Sequence, residues 1–141
     1  MQRVADPITV VIAEDDTDIL EMLQTTLGML GLDVVGTAVN GREAITEVTR
    51  LAPDIILLDM HMPEMLGLEA IPEILNGSPR TKIVVHSAIG ATFMTDQALK
   101  LGAHAYIEKG VKPRTIVEHI GRVCLAGAVR PVQPYPLRRN Y

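Results

Sequence analysis

The sequence is poor in aromatic residues: it has no tryptophan, and phenylalanine and tyrosine together make up only 3% of its 141 residues. Hydrophobic residues still account for 48% of the chain, so a buried core would consist of aliphatic side chains and methionine on regular helices and strands. This composition argues against a loop-rich scaffold. A single domain of this length removes about two thirds of its unfolded surface from water and needs no disulfide to fold.

Cysteine and long hydrophobic runs are also scarce. The single cysteine, Cys124, has no partner for an internal disulfide, which fits a reducing compartment, and we interpret it as a core residue. The first apolar run, residues 8–13, stops at three acidic residues and is far too short to span a bilayer. We therefore expect no membrane association and a cytoplasmic location.

Positive charge is in the minority, with thirteen lysines and arginines against seventeen acidic residues. All the acidic residues and ten of the basic ones precede residue 127, so the main body of the chain is acidic. A nucleic-acid-binding surface needs the opposite balance. Direct binding to nucleic acid is therefore not expected.

Five short runs rich in β-branched residues predict strands. They are residues 8–13, 33–38, 54–58, 82–86 and 103–107. These runs are almost continuously apolar, with little alternation between polar and apolar positions. Such strands are buried on both faces, as in a parallel sheet covered by helices.

The segments between these runs have the periodicity of helices. In the first, leucine and isoleucine recur every three or four residues at Ile19, Leu23, Leu27 and Leu30, and Gly31 follows as a stop signal. Further helices are predicted for residues 41–51, 68–76, 91–101 and 113–126.

Five alternations of strand and helix predict an α/β fold of the (βα)5 type, with a doubly wound, parallel, five-stranded sheet. Pro72 lies inside the third predicted helix and removes a backbone donor, so we expect a kink or a late helix start there. Residues 1–126 form the predicted domain. Residues 127–141 are a proline- and arginine-containing tail with no separate domain, and the tail could be a natural end, a partner-binding arm or the remnant of an output domain.

Polar residues follow the carboxyl ends of four predicted strands, where doubly wound sheets bind their ligands. They are Glu14, Asp15 and Asp16 after the first strand, Asp59 after the third, Ser87 after the fourth and Lys109 after the fifth. Each has an ordinary alternative. Asp16 or Thr17 could cap the first helix, Ser87 could bond the local backbone, and Lys109 could reach solvent from a strand end.

Carboxylates gathered at one point repel one another unless a cation compensates. Mg²⁺ suits a sparse set of carboxylates with a backbone carbonyl, and His61 could supply that carbonyl. Histidine side chains are not spaced for zinc. A Ser-His hydrolase is excluded because His86 and Ser87 are adjacent on a strand and point to opposite faces, so we expect His86 to be a neutral core residue.

Four segments together resemble the receiver domains of two-component signalling over residues 8–126. These segments are Ala13-Glu14-Asp15-Asp16, Leu58-Asp59-Met60-His61-Met62-Pro63, His86-Ser87-Ala88 and Tyr106-Ile107-Glu108-Lys109. The resemblance implies the flavodoxin-like, CheY-like strand order 2-1-3-4-5. It also implies a response regulator that is not an enzyme beyond catalysing its own phosphorylation and dephosphorylation.

The resemblance assigns a role to each matching position. Asp59 would be the phosphoacceptor. The Mg²⁺ ligands would be Glu14, Asp15, Asp59 and the His61 carbonyl, and Asp16 would lie just outside this set of ligands.

Three further positions match the family's switch. Ser87 would bond a phosphoryl oxygen, Lys109 would neutralise charge, and Tyr106 would turn into the space that Ser87 vacates. The surface of helix 4, strand 5 and helix 5 would then change. The expected partners are a histidine kinase or phosphotransfer protein, and a downstream effector or a second copy of the chain.

The sequence departs from the family pattern at a few positions. Leu66 replaces a frequent aspartate, and Gly110 replaces a frequent proline, so the cis bond common after the lysine is not expected here. Two other functions stay open. One is a docking or dimerisation module that works without phosphorylation. The other is a phosphatase with an aspartate nucleophile, which is disfavoured because His61 occupies the place of its acid.

Overall fold

The computed structural model describes residues 6–126 and 135–137. Strands and helices alternate as predicted. The strands are β1 Thr9–Ala13, β2 Asp33–Ala38, β3 Ile55–Asp59, β4 Lys82–Ser87, β5 Ala105–Glu108 and β6 Tyr135–Leu137. The helices are α1 Thr17–Met29, α2 Gly41–Leu51, α3 Gly67–Gly77, α4 Thr92–Lys100 and α5 Pro113–Ala126.

The strands form one parallel sheet in the order β2-β1-β3-β4-β5-β6. The predicted order 2-1-3-4-5 is confirmed for the first five. The sixth strand was not predicted: it pairs along the outer edge of β5, and its central residue is a proline, which is tolerated on an edge strand. The rest of the predicted tail, residues 127–134 and 138–141, lies outside the described residues.

Two aliphatic cores lie on opposite faces of the sheet. Since successive side chains of a strand point to opposite faces, Val11 and Ile56 pack under α2, α3 and α4. Val10 and Ile55 pack under α1 and α5 on the other face. Both faces of β1 and β3 are therefore buried, which is why these runs show no polar alternation.

The N-terminal ends of α1 and α3 bear on two predictions made from the sequence. Asp16 caps α1, because its side chain accepts hydrogen bonds from the backbone N–H groups of Asp18 and Ile19. Of the kink or late start expected at Pro72, the late start is wrong, because α3 begins at Gly67 and continues through Pro72. Glu69 supports this start by accepting a hydrogen bond from the backbone N–H of Leu66 at 3.3 Å. The kink stays a prediction.

Within the described residues, no helix is long and apolar enough to cross a membrane.

His104 lies just before β5 and is predicted to make folding stability depend on pH. Its Nδ1 accepts a hydrogen bond from the backbone N–H of Ile83 at 3.0 Å. Burial, together with the charge of Lys82, lowers the pKa of His104 to about 4. As pH falls from 6.5 towards 4, His104 becomes protonated in the unfolded chain but stays neutral in the folded protein. The folded state therefore loses stability relative to the unfolded state.

The test is to compare the parent with His104→Asn in urea unfolding at pH 7 and pH 4.5. The asparagine oxygen can accept the same hydrogen bond but does not titrate. We expect the free energy of unfolding of the parent to fall more steeply than that of the variant, by at most about 1.4 kcal/mol per pH unit. Equal pH dependence in the two proteins would contradict this assignment.

Candidate functional site

Three carboxylates meet at the carboxyl edge of the sheet. One oxygen from each of Glu14, Asp15 and Asp59 lies within 4.8 Å of the others. Glu14 directly follows β1 and Asp59 ends β3, and these two strands are neighbours, which brings their ends together. Glu14 and Asp59 are buried, whereas Asp15 is exposed.

Lys109 joins two of these carboxylates. Its Nζ lies 3.0 Å from Glu14 Oε1 and 3.2 Å from Asp59 Oδ1. The backbone N–H of Lys109 donates to the Ser87 carbonyl at 2.7 Å, which ties the lysine to the end of β4. The next residue, Gly110, has φ +99°, a conformation that favours glycine. All described peptide bonds are trans, as expected for Lys109-Gly110.

Burial dominates the electrostatics of the cluster. It raises the pKa of Glu14 to about 7, and the neighbouring Asp59 adds to the rise. Burial also raises the pKa of Asp59, although Glu14 and Lys109 work against it. Burial of Lys109 opposes its charge, but the two carboxylates outweigh this effect and raise the pKa of the ammonium group. The pocket thus favours added positive charge.

The two oxygens of Asp59 have different surroundings. Oδ1 accepts a hydrogen bond from the backbone N–H of His61 at 3.3 Å and pairs with Lys109. Oδ2 is buried, and within the described part of the chain it has no hydrogen-bond partner. A buried carboxylate oxygen without a partner is costly, so it is a suitable atom to bind a cation or to attack an electrophile.

The start of α3 packs directly on Asp59. A Cβ at Gly67 would collide with the Asp59 carbonyl oxygen, and the Gly67 N–H donates to the Met60 carbonyl at 3.2 Å. Only glycine allows the helix to approach β3 this closely. The apolar periodicity predicts a helix over residues 68–76, but no local pattern indicates that Gly67 supports the site.

Ser87 and Tyr106 line a small cleft on the α4 side of the site. The Ser87 hydroxyl is 3.3 Å from the hydroxyl of Thr95 in α4, and both residues are buried. Tyr106 is partly buried against the neighbouring core. The sequence did not predict a role for Thr95. The one local indication is that Thr95 is a polar residue on the face of α4 that is buried together with Ala98.

Within the part of the chain that the structure describes, the group that could hold a metal consists of the three acids and contains no histidine. His86 is buried, and burial together with Lys109 lowers its pKa to about 4, so it is neutral at pH 7. His61 is exposed, and its described contact is the backbone bond to Asp59. The role expected for the His61 carbonyl stays a prediction.

The carboxylate cluster suits Mg²⁺ by the chemistry of its donors. Oxygens bound to one octahedral Mg²⁺ at about 2.1 Å lie about 3.0 Å apart when adjacent and about 4.2 Å apart when opposite, so the three carboxylate oxygens, now within 4.8 Å of one another, would move closer together on binding it. Within the described residues Asp59 Oδ2 has no hydrogen-bond partner, so it can serve as one ligand. The cluster can therefore hold a divalent metal ion.

A family model described as the response regulator receiver domain matches residues 10–121 of the chain. The chain belongs to this family. It is 40% identical over 114 residues to the chemotaxis protein CheY of Thermotoga maritima, covering 81% of this chain and 95% of that protein. The resemblance found in the sequence is therefore confirmed.

A further relative is longer than this chain. The nitrate/nitrite response regulator protein NarL of Escherichia coli is 32% identical, and the match covers 96% of this chain and 65% of that protein. A solved CheY-like receiver domain from Methanospirillum hungatei has a TM-score of 0.77 at 26% identity, covering 84% of this chain and 94% of that one. This receiver domain therefore shares the CheY-like fold and belongs to two-component systems.

Proposed function

We propose that this receiver domain is a phosphorylation switch in which Asp59 accepts a phosphoryl group with the help of Mg²⁺. The observation that carries the proposal is the pairing of Lys109 with Asp59 Oδ1 while the buried Oδ2 has no hydrogen-bond partner among the residues that the structure describes. Glu14 and Asp15, with one oxygen each beside Asp59, would hold the metal, and the His61 carbonyl would complete the set. The metal, when bound, neutralises charge on the phosphoryl oxygens.

The transfer needs little covalent help from the protein. An oxygen of Asp59 attacks phosphorus, the new O–P bond forms, and the bond between phosphorus and the donor breaks, with its electron pair leaving on the donor, which then takes up a proton. Lys109 stays close enough to offset the added negative charge. The product is an acyl phosphate on Asp59.

The acyl phosphate would then act through Ser87 and Tyr106. It adds charge and hydrogen-bond acceptors, which draw the Ser87 hydroxyl inward and leave room for Tyr106 in the shared cleft. The surface formed by α4, β5 and α5 would change as a result. The phosphoryl group has this effect only to the extent that it stabilises one of two pre-existing conformations more than the other.

The proposed partners follow from this switch. A histidine kinase or phosphotransfer protein would supply the phosphoryl group in the cytoplasm, and an effector or a second copy of the chain would bind the altered surface. We place the receiver domain within residues 1–126, and residues 135–137 of the tail add the edge strand β6 to its sheet. The acidic body of the chain makes direct nucleic-acid binding an unsuitable output for these residues.

Intact mass after incubation with Mg²⁺ and a small phosphodonor such as acetyl phosphate tests the proposal. We expect the protein to gain one phosphoryl group, and we expect EDTA to prevent the gain. Peptide mapping should place the group on Asp59. No gain with Mg²⁺ would favour the alternative, a module that docks or dimerises without phosphorylation.

Replacing Lys109 with methionine is predicted to slow phosphorylation by about 100-fold, because removing one preorganised charge from a buried transfer site has an effect of this size. Methionine has a similar length but no charge, so the side chain can still fill its space. The rate is measured by quenching the phosphodonor reaction and recording intact mass over time.

The matched control is Lys112→Met, because Lys112 is exposed and close in the chain but is not paired with the carboxylates of the site. It should react at close to the parent rate. Equal rates for Lys109→Met and Lys112→Met would show that Lys109 has no role in the transfer.

A further inference from the structure

The hydrogen bond between Ser87 and Thr95 joins the end of β4 to α4. The two hydroxyl oxygens are 3.3 Å apart, and the exposed fractions of the residues are 2% and 4%. Within residues 6–126, the Ser87 side chain makes this hydrogen bond to Thr95 and no described hydrogen bond to Asp59. The Ser87 hydroxyl is therefore held on the α4 side of the site.

This orientation conflicts with the role proposed for Ser87. To bond a phosphoryl oxygen on Asp59, we expect the Ser87 hydroxyl to turn from the α4 side of the site, where it contacts Thr95, towards β3. Moving it breaks a buried hydrogen bond and leaves the Thr95 hydroxyl without that partner. The bond thus stabilises the unphosphorylated arrangement relative to the phosphorylated one.

We propose that Thr95 is a positioning residue that holds Ser87 in its resting orientation and so sets how readily the switch is activated. This inference rests on the proposed function. Thr95 and Tyr106 line the same small cleft beside Ser87, so the release of Ser87 from Thr95 opens space where Tyr106 turns. Thr95 acts through Ser87 and does not contact the reacting atoms.

The test replaces Thr95 with valine, which keeps the shape of the side chain but removes the hydroxyl. Beryllium fluoride with Mg²⁺ serves as the probe, since it adds to a carboxylate as a stable mimic of a phosphoryl group. Binding is followed by amide chemical shifts in NMR, because the chain has no tryptophan. Loss of one buried hydrogen bond from the resting state should lower the half-saturating concentration by about threefold to tenfold.

Two further variants separate positioning from a purely structural effect. Thr95→Ser keeps the hydroxyl and should bind the probe like the parent. In a Ser87→Ala background, Thr95→Val should change nothing, because there is no Ser87 hydroxyl left to release. Thermal unfolding of each variant confirms that the proteins compared are folded.

Each other outcome has a definite meaning. If Thr95→Val binds the probe like the parent or more weakly, or if it shifts binding equally without Ser87, Thr95 does not hold Ser87 and the inference is wrong. If the folded parent does not bind the probe at all, the proposed function fails, and the inference fails with it.

Discussion

Asp59→Asn is expected to gain no phosphoryl group under conditions in which the parent gains one. The amide of asparagine carries no negative charge and is a poor nucleophile, and it also removes one carboxylate from the cluster with Glu14 and Asp15. Folding should be retained, because asparagine has nearly the same shape as aspartate. The substitution also removes one of the negative charges that repel one another in the carboxylate cluster. Intact mass after incubation with Mg²⁺ and acetyl phosphate measures the effect.

Asp16→Asn is the matched control. Asp16 is close to the cluster in sequence, but its side chain caps α1, and asparagine caps a helix about as well as aspartate. This variant should gain one phosphoryl group like the parent. Phosphorylation of Asp59→Asn would mean that another acidic residue of the site is the acceptor.

Gly67→Ala is expected to have the largest effect on folding, with a loss of about 3 kcal/mol or more in the free energy of unfolding. The added methyl group would collide with the backbone carbonyl of Asp59 and touch Met60, and a backbone atom cannot move aside as a flexible side chain can. Either α3 or the end of β3 has to shift. Since Asp59 ends β3, protein that still folds should also accept phosphoryl groups more slowly.

Urea unfolding of Gly67→Ala and Gly121→Ala provides the measurement and its control. Gly121 lies within α5, and a Cβ there would meet nothing within 4 Å. Alanine is favoured over glycine in a helix, so Gly121→Ala should be as stable as the parent or more stable by about 0.5–1 kcal/mol. An unfolding midpoint of Gly67→Ala equal to that of the parent would show that α3 does not pack on β3 as described.

Several elements could be predicted from the sequence because local pattern and tertiary environment agree there. The bounds of α2 and α5 match the predicted ranges 41–51 and 113–126, since each helix has an apolar stripe and a clear start signal. The strands β1, β3 and β4 could be predicted because burial on both faces leaves a nearly uninterrupted apolar run. Two helices differ from their predicted ranges by one residue at each end, where caps and turns decide the limits.

Other features depend on neighbours that are distant in sequence. The strand β6 has no strong pattern of its own, and it forms because the edge of β5 offers backbone groups for pairing. The need for glycine at position 67 depends on where the Asp59 carbonyl lies. The contact of Thr95 with Ser87 depends on how α4 packs against β4. No local sequence signal reports these distances.

The sequence by itself determined that acidic, hydroxyl and ammonium groups stand at the carboxyl ends of separate strands. It could do so because strand ends and side-chain chemistry are local properties. Only the tertiary structure decided that Glu14, Asp15 and Asp59 share one point, that Lys109 joins two of them, and that the Ser87 hydroxyl is bonded to Thr95. These facts depend on strand order and helix packing, which bring together residues up to 95 positions apart. Burial then shifts the pKa values of the groups that meet, so the electrostatics of the site is also a property of the fold.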